Sequence, residues 1–464
     1  MEKINKAEVK KAGRSDPLKT LFDSLRLKQE ELYKITDQKS KVYVTVENLN
    51  NLLTKCLEIE KHLAKKPLTI SEIFDWAKII IQVIPIVTIR DTKEMWKYDK
   101  DEGKYVPDAD TYIQSLCTDE NARASTPDVY KKLIMNIQGG TFKEREEFEN
   151  NANMVNMNNG VYHKTEKKLY PHDQKYYFTY KLPFDYDVEA DCLEFKKVVN
   201  NLFPDPKHRT LIKRWFGYHF MKGYPYQKYL HLCGPSGAGK SHLLQGLYIL
   251  LGKGNYRGYS LQDFQDRNSY ATAGIYKKLG NICADMQTTS LQDMSMMKRL
   301  VSTVDVISTR NIYGKPYDFV NSTKMTFVSN KMPIVGNKIL TDDAIKRRAM
   351  VLIVNKADFE VNESLDVLIA LEASGIFNWA MEGYLELIAE DSKGFEYDED
   401  PMEIWKENMD ESEDVISIKG QIKRPDIPQM LEFCIANSPK KEGNIYVSYN
   451  EQFTNSGMLT DKQE

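Results

Sequence analysis

The stretch Gly234-Pro235-Ser236-Gly237-Ala238-Gly239-Lys240-Ser241 satisfies the pattern GxxxxGK[ST], and its flanks decide what it builds. Before it runs KYLHLC (228–233), which alternates as a strand does; after it runs HLLQGLYILLG (242–252), an apolar helix pattern stopped by Gly252. A strand, a glycine-rich loop and a helix N-terminus in that order aim successive backbone N–H groups, and the positive end of the helix dipole, at a polyphosphate. In that frame the residues from Gly234 to His242 form a nucleotide-binding segment. Lys240 reaches the β and γ phosphates of ATP or GTP, and the Ser241 hydroxyl is a ligand for Mg²⁺. Nucleotide binding follows, while the chemistry it drives stays open.

Four later segments bear on that chemistry. Leu279–Met286 reads as a second strand ending in Asp285, an acid placed to bridge a metal or activate water. Lys324–Asn330 reads as a third, ending in an amide that can sense the γ-phosphate and orient water. Asp342–Arg348 supplies the adjacent guanidiniums of Arg347 and Arg348 before another apolar strand, AMVLIV. Between acid and amide, Val306–Phe319 reads as two β-prone arms around a Gly-Lys-Pro tip that carries Lys315, with Arg310 on the first arm. Each also has an ordinary reading: Asp285 as a helix cap, Asn330 as a turn residue, the arginines as surface ion-pair partners and the arms as a plain hairpin. Their order and spacing behind one phosphate loop weigh more than any member.

Working outward, residues 195–385 alternate apolar strands with longer helical patterns, the mark of an α/β layered core. Residues 91–194 carry short aromatic segments broken by Gly, Asn and Pro, among them the turn-prone NMNNG (156–160) before VYH, which reads as a hairpin within a small mixed α/β domain. Residues 1–90 show helical spacing, as in Leu49, Leu52, Leu53 and Leu57, and read as a helical region for ring nucleation or partner docking. Residues 386–464 read as an acidic linker with a short helix at Ile427–Ile435.

The composition of the 464 residues, 28 % charged and 41 % apolar, is that of a globular protein, not of a disordered tail or a membrane span. The net charge of −3 conceals local fields: Glu390–Asp414 carries −10, while Lys298–Arg348 carries +6. The expectation is that those bases face the nucleotide and a central channel, and that the acids face outward or toward a partner. Six scattered cysteines without a CxxC pair write neither a zinc site nor a disulfide framework, and a reducing cytoplasm is the simpler setting. The longest apolar stretch, Ala77–Val87, is interrupted and too short to span a bilayer, so no membrane role is expected.

The series GPSGAGKS, CADM, TRNIYGKPYDF, TFVSN and DDAIKRR resembles the superfamily III helicases, and more closely the helicase half of phage, plasmid and poxvirus-type primase-helicases. LEASGIFNWAMEGY (371–384) and NMNNGVYH extend the resemblance over about residues 90–385. It implies an AAA+ P-loop ATPase core, a parallel sheet between helices, assembled as a homo-oligomeric ring, usually a hexamer, that draws one DNA strand with 3′→5′ polarity and opens forked DNA. It assigns Lys240 and Ser241 to nucleotide and Mg²⁺, Asn330 to the sensor position, Arg347 or Arg348 to a finger offered to the neighbouring subunit, and Lys315, helped by Arg310, to the DNA backbone. Two features depart from the family: Asp285 stands alone where relatives carry two acids, and the lead-in is too short and too helical for a primase. An initiator or primase protein is an implied partner. A helicase loader or replication initiator that binds DNA and ATP without processive unwinding is the competing reading.

Overall fold

A computed structural model describes residues 69–120, 126–149, 151–265, 270–312, 314–355, 364–389, 392–396 and 398–409. The segment expected as a helix at Ile427–Ile435, and all of the lead-in before residue 69, lie outside the described residues.

The first layer is small. Helix α1 (Ile70–Val83) begins at a capping box in which Thr69 Oγ1 accepts from Glu72 N at 3.3 Å and Glu72 Oε2 from Thr69 N at 2.6 Å. Strands β1 (Ile86–Ile89), β2 (Met95–Asp99) and β3 (Lys104–Val106) form a meander. Helices α2 (Ala109–Glu120) and α3 (Pro127–Thr141) follow, and β4 (Phe142–Lys143) joins β1 in parallel. Successive strand residues face opposite ways: Ile86 and Met95 pack under α1 and α3 with Trp76, Leu133 and Ile137, whereas Val87 and Ile89 pack with Tyr105 and Phe148 on the other face. Helix α1 and strand β1 therefore belong to this small domain, and the expected boundary at residue 90 falls too late.

Next comes the meander of β5 (Met154–Met157), β6 (Gly160–His163) and β7 (Lys168–Tyr170). Met157 pairs with Gly160, so NMNNG turns a tight hairpin. Helices α4 (Leu193–Leu202) and α5 (Pro206–Tyr218) lead into the larger layer.

That layer is a five-stranded sheet of β8 (Tyr229–Cys233), β9 (Tyr256–Arg257), β10 (Gly280–Cys283), β13 (Lys324–Ser329) and β14 (Ala349–Ile353), in the order β14-β8-β13-β10-β9 and parallel throughout. All residues of β8, β10 and β13 are buried, polar His231, Asn281, Lys324, Thr326 and Ser329 included, as expected of central strands covered on both faces. The crossovers include α6 (Lys240–Leu251), α7 (Ala271–Ile275), α8 (Ser295–Leu300), α9 (Asn337–Leu340) and α10 (Asp343–Lys346). The two-stranded ribbon of β11 (Val306–Arg310) and β12 (Pro316–Val320) stands apart from the sheet between β10 and β13. Helices α11 (Leu365–Leu371) and α12 (Ala373–Ile388) close one side, with α12 lying along α5.

The chain past residue 386 is not simply a linker. Helix α13 (Pro401–Glu407), capped by Asp400, inserts Met402 and a fully buried Trp405 beneath the sheet, where the indole N–H donates to the Pro333 carbonyl at 2.9 Å and the ring meets His231 of β8 at 5.7 Å. The compact unit runs to Asn408, well past the expected end of the core at 385.

Candidate functional site

In an open parallel sheet, ligands settle at the carboxyl ends of the strands, where consecutive crossovers leave to opposite sides. Here β8 is flanked by β13 and β14, both reached late in the chain, so the crevice opens at the end of β8, where the glycine-rich loop begins. Gly234 is buried against the Val354 carbonyl; a Cβ there would lie 2.0 Å from that oxygen. Gly239, with φ of 91°, turns the chain into α6 through a conformation that side chains resist. Pro235, Ser236 and Gly237 are exposed, Ala238 is buried beneath them, and its N–H turns back to the Pro235 carbonyl at 3.3 Å.

Lys240 is buried at the centre of this loop. Its ammonium donates to the carbonyls of Gly234 and Pro235, the latter at 2.9 Å, and to Asn330 Oδ1 at 3.1 Å. Residues 90 apart in sequence thus meet because β8 and β13 are hydrogen-bonded neighbours: Asn330 directly follows β13, and the loop after β8 brings Lys240, the first residue of α6, back to that edge. With Oδ1 turned to the ammonium, the Asn330 NH₂ remains to donate toward a phosphate oxygen or a water. Burial lowers the Lys240 pKa, and the neighbouring Cys233 and Asp285 oppose that shift. An ammonium satisfied by loop carbonyls can exchange them for phosphate oxygens, charge-assisted partners of greater strength.

Asp285 follows β10, on the far side of β13 from the loop, and is exposed, with the next residue pinned by Met286 N–H to the Val328 carbonyl at 2.8 Å. Ser241 is exposed on the first turn of α6. Among the described residues no three His, Cys, Asp or Glu side chains cluster as a metal cage. A lone carboxylate and a hydroxyl are nonetheless an oxygen donor set that suits Mg²⁺, which keeps several waters and takes the rest from substrate phosphates. The His242 N–H bonds to the Gly239 carbonyl at 3.1 Å, but its side chain turns from the loop: Nδ1 lies 2.7 Å from Asp366 Oδ1 on α11, since two residues of helix turn carry it away from Lys240.

The two arginines part company. Asp342 caps α10 by accepting from Ala344 N at 2.8 Å and pairs with Lys298 at 2.9 Å. Arg348 folds back into the protein, donating to the Ala344 carbonyl at 2.9 Å; burial, reinforced by Arg347, lowers its pKa. Arg347 points outward. Both precede β14, whose first residue pairs with Tyr229 at the start of β8, whereas the glycine-rich loop follows the end of β8. The guanidiniums and the chain's own loop lie at opposite edges of the sheet, separated by a five-residue strand, about 15 Å.

The ribbon springs from the same amino-terminal edge. Ile307, Tyr317 and Phe319 are buried on its inner face; Arg310 and Lys315 are exposed at the tip, which Gly314 N closes onto the Asn311 carbonyl at 2.9 Å. The acidic stretch does not keep clear of these bases. Asp398, Glu399 and Asp400 line one crevice with Lys228, Lys346 and Arg347, and Asp400 pairs with Lys346 while Asp398 pairs with Lys207. The expected separation of acids from bases fails here because Trp405, a few residues on, anchors the segment under the sheet. The charge count had no means of showing that anchor. Nor does any motif single out Arg145, whose contacts with the ribbon emerge only in three dimensions.

Comparisons with known proteins touch both layers. Residues 90–204 match the family described as D5 N terminal like, and residues 232–348 match a family of unknown function (DUF5906). No curated protein matches the chain. Among solved structures the chain is similar to the A form apo structure of the NrS-1 C terminal region, at 14 % identity and a TM-score of 0.43, over 84 % of this chain and 83 % of that one. It is also similar to an apo structure of the same region spanning 305–718, at 14 % identity and a TM-score of 0.43, over 86 % of this chain and 84 % of that one.

Proposed function

We propose that the chain is an oligomeric nucleoside triphosphatase built on a AAA+ core, and more particularly an ATP-dependent DNA helicase of a virus or mobile element. The observation that carries the first step is the meeting of Lys240 and Asn330 at the head of a strand, glycine loop and helix. The match of residues 90–204 to the D5 N terminal like family agrees with the second.

In this reading ATP lies along the loop with its γ-phosphate against Lys240 and the Asn330 amide. Ser241 and Asp285 would hold Mg²⁺, which supplies charge neutralisation at the phosphates. Asp285 and Asn330 position the attacking water. Arg347 of an adjacent copy neutralises charge that develops on the transferring phosphoryl, an interaction worth about 10³–10⁵ in rate where fingers are known. Hydrolysis moves the ribbon, and Lys315 and Arg310 grip DNA phosphates without reading sequence, so binding weakens steeply with salt.

The test is DNA-stimulated ATP turnover and strand displacement on forked DNA. Lys240→Ala should abolish both; Lys315→Ala should retain DNA-free turnover and lose displacement. If Lys315→Ala unwinds as well as wild type, the ribbon is not the DNA grip. The lone acid Asp285 favours a second reading, a loader or initiator, and turnover below about one per minute with DNA present would select it, against about 1–10³ per second for typical enzymes.

A further inference from the structure

A two-stranded ribbon is marginal alone and holds a fixed direction only if its inner face is covered. Here Tyr276 of the core covers part of that face, and the small N-terminal domain adds to it through the buried guanidinium of Arg145. Arg145, just past β4, has a side chain only 6 % exposed. It forks Asp91, with Nε to Oδ2 at 2.9 Å and Nη2 to Oδ1 at 2.8 Å, and Nη1 donates to the Tyr276 hydroxyl at 2.6 Å. Its plane lies 4.5 Å from the ring centre of Tyr317 on β12 and 5.0 Å from that of Tyr276. Tyr276 in turn packs on Tyr317 and Phe319 at 5.2 and 5.1 Å. Burial alone would raise the Asp91 pKa, but hydrogen bonding and charge from Arg145 outweigh it and hold the carboxyl below its ordinary value. The exchange is reciprocal: Lys277 of the core places its ammonium 4.2 Å from the rings of both Trp96 and Phe148 in the small domain.

A buried guanidinium is tolerated only when its donors are met, and losing one partner is costly. This one is met from two domains at once, so it ties the ribbon, at Tyr317 only two residues from Lys315, to the small domain. At the tip, Asn311 Nδ2 lies 3.3 Å from Glu94 Oε1 of that sheet, a second tie along the same side. We infer that Arg145 is a positioning residue for DNA engagement: through Tyr317 and Tyr276 it lets the N-terminal domain set the direction of the ribbon that presents Arg310 and Lys315. The inference rests on the ribbon's being the DNA grip, as proposed above.

The test uses the full chain and a fluorescein-labelled oligo-dT strand. Arg145→Met should weaken binding about 5–10-fold and raise the DNA concentration for half-maximal ATPase stimulation to match, while DNA-free turnover stays within about twofold of wild type. Adding Lys315→Ala to Arg145→Met should then cost less than Lys315→Ala costs alone, because a misdirected tip has less to lose. Wild-type affinity in Arg145→Met, or effects of the two substitutions that simply multiply, would overturn the inference. A silent Lys315→Ala would instead sink the assignment of the ribbon itself. Should Arg145→Met fail to show a cooperative melting transition, Asp91→Asn, which loosens the same guanidinium without emptying its place, is read by the same criteria.

Discussion

Arg347 and Arg348 adjoin in sequence and differ in everything that follows from burial. Replacing exposed Arg347 by Ala should leave stability within about 0.5 kcal/mol of wild type while cutting DNA-stimulated turnover by about 10³ or more with nucleotide affinity little changed. Arg348→Ala strands the Ala344 carbonyl and should cost about 1–3 kcal/mol of stability in urea unfolding. Two histidines make a separate prediction. Burial depresses both His219 and His231 to about 3, with His219 Nδ1 donating to the Trp215 carbonyl at 2.9 Å and His231 Nε2 lying 2.8 Å from Ser329 Oγ. Below the unfolded value near 6.5 the unfolded chain takes up protons that the folded chain refuses. The stability these residues contribute is therefore complete above that pH and falls as pH drops toward 3, by about 1.4 kcal/mol per pH unit for each. Unfolding midpoints measured at pH 7 and pH 5 should draw apart accordingly, and His231→Gln should narrow the gap; equal gaps in variant and wild type would refute the assignment to His231.

At the scale of elements, what the sequence showed and what it hid have physical causes. The glycine loop was readable because its geometry constrains residue type: a Cβ at Gly234 would strike the Val354 carbonyl, and Gly237 and Gly239 take positive φ. The ribbon was readable because its arms alternate: β11 begins at Val306 as expected, and β12 runs one residue past Phe319. Helix α13 was hidden because its exposed positions are charged and its anchoring rests on two side chains, Met402 and Trp405, too few to raise a periodic signal against twelve acids. The pairing of the His242 side chain with Asp366 was hidden because adjacency to Lys240 along the chain says nothing about direction around a helix. The cost of missing α13 is measurable: Trp405→Ala should lower stability by about 3–5 kcal/mol, the range for emptying a large buried aromatic site. A loss under about 1 kcal/mol in urea unfolding would mean that the segment is only laid against the core.

For the whole molecule, the decisive relation is between two edges of one sheet. Lys240 and Asn330 occupy the carboxyl edge, Arg347 the amino edge, with the length of β8 between them. A single copy cannot bring its own Arg347 to its own nucleotide, so if Arg347 acts in hydrolysis it acts on a neighbour, and the active site exists only between copies in a head-to-tail assembly. Net charge is mute on this point, since the −10 and +6 segments interlock at the crevice of Arg347 instead of facing different ways. Subunit mixing is the direct probe. Lys240→Ala copies keep a sound arginine and Arg347→Ala copies keep a sound phosphate loop, and each alone should be inactive. Mixed in equal amounts and allowed to exchange, about one interface in four joins a sound loop to a sound arginine, so turnover should recover to about a quarter of wild type if sites fire independently. Recovery well below that would indicate that neighbouring sites must fire in sequence. No recovery at all, together with wild-type turnover strictly proportional to protein concentration, would place the whole active site within one chain and remove the ring from the proposal.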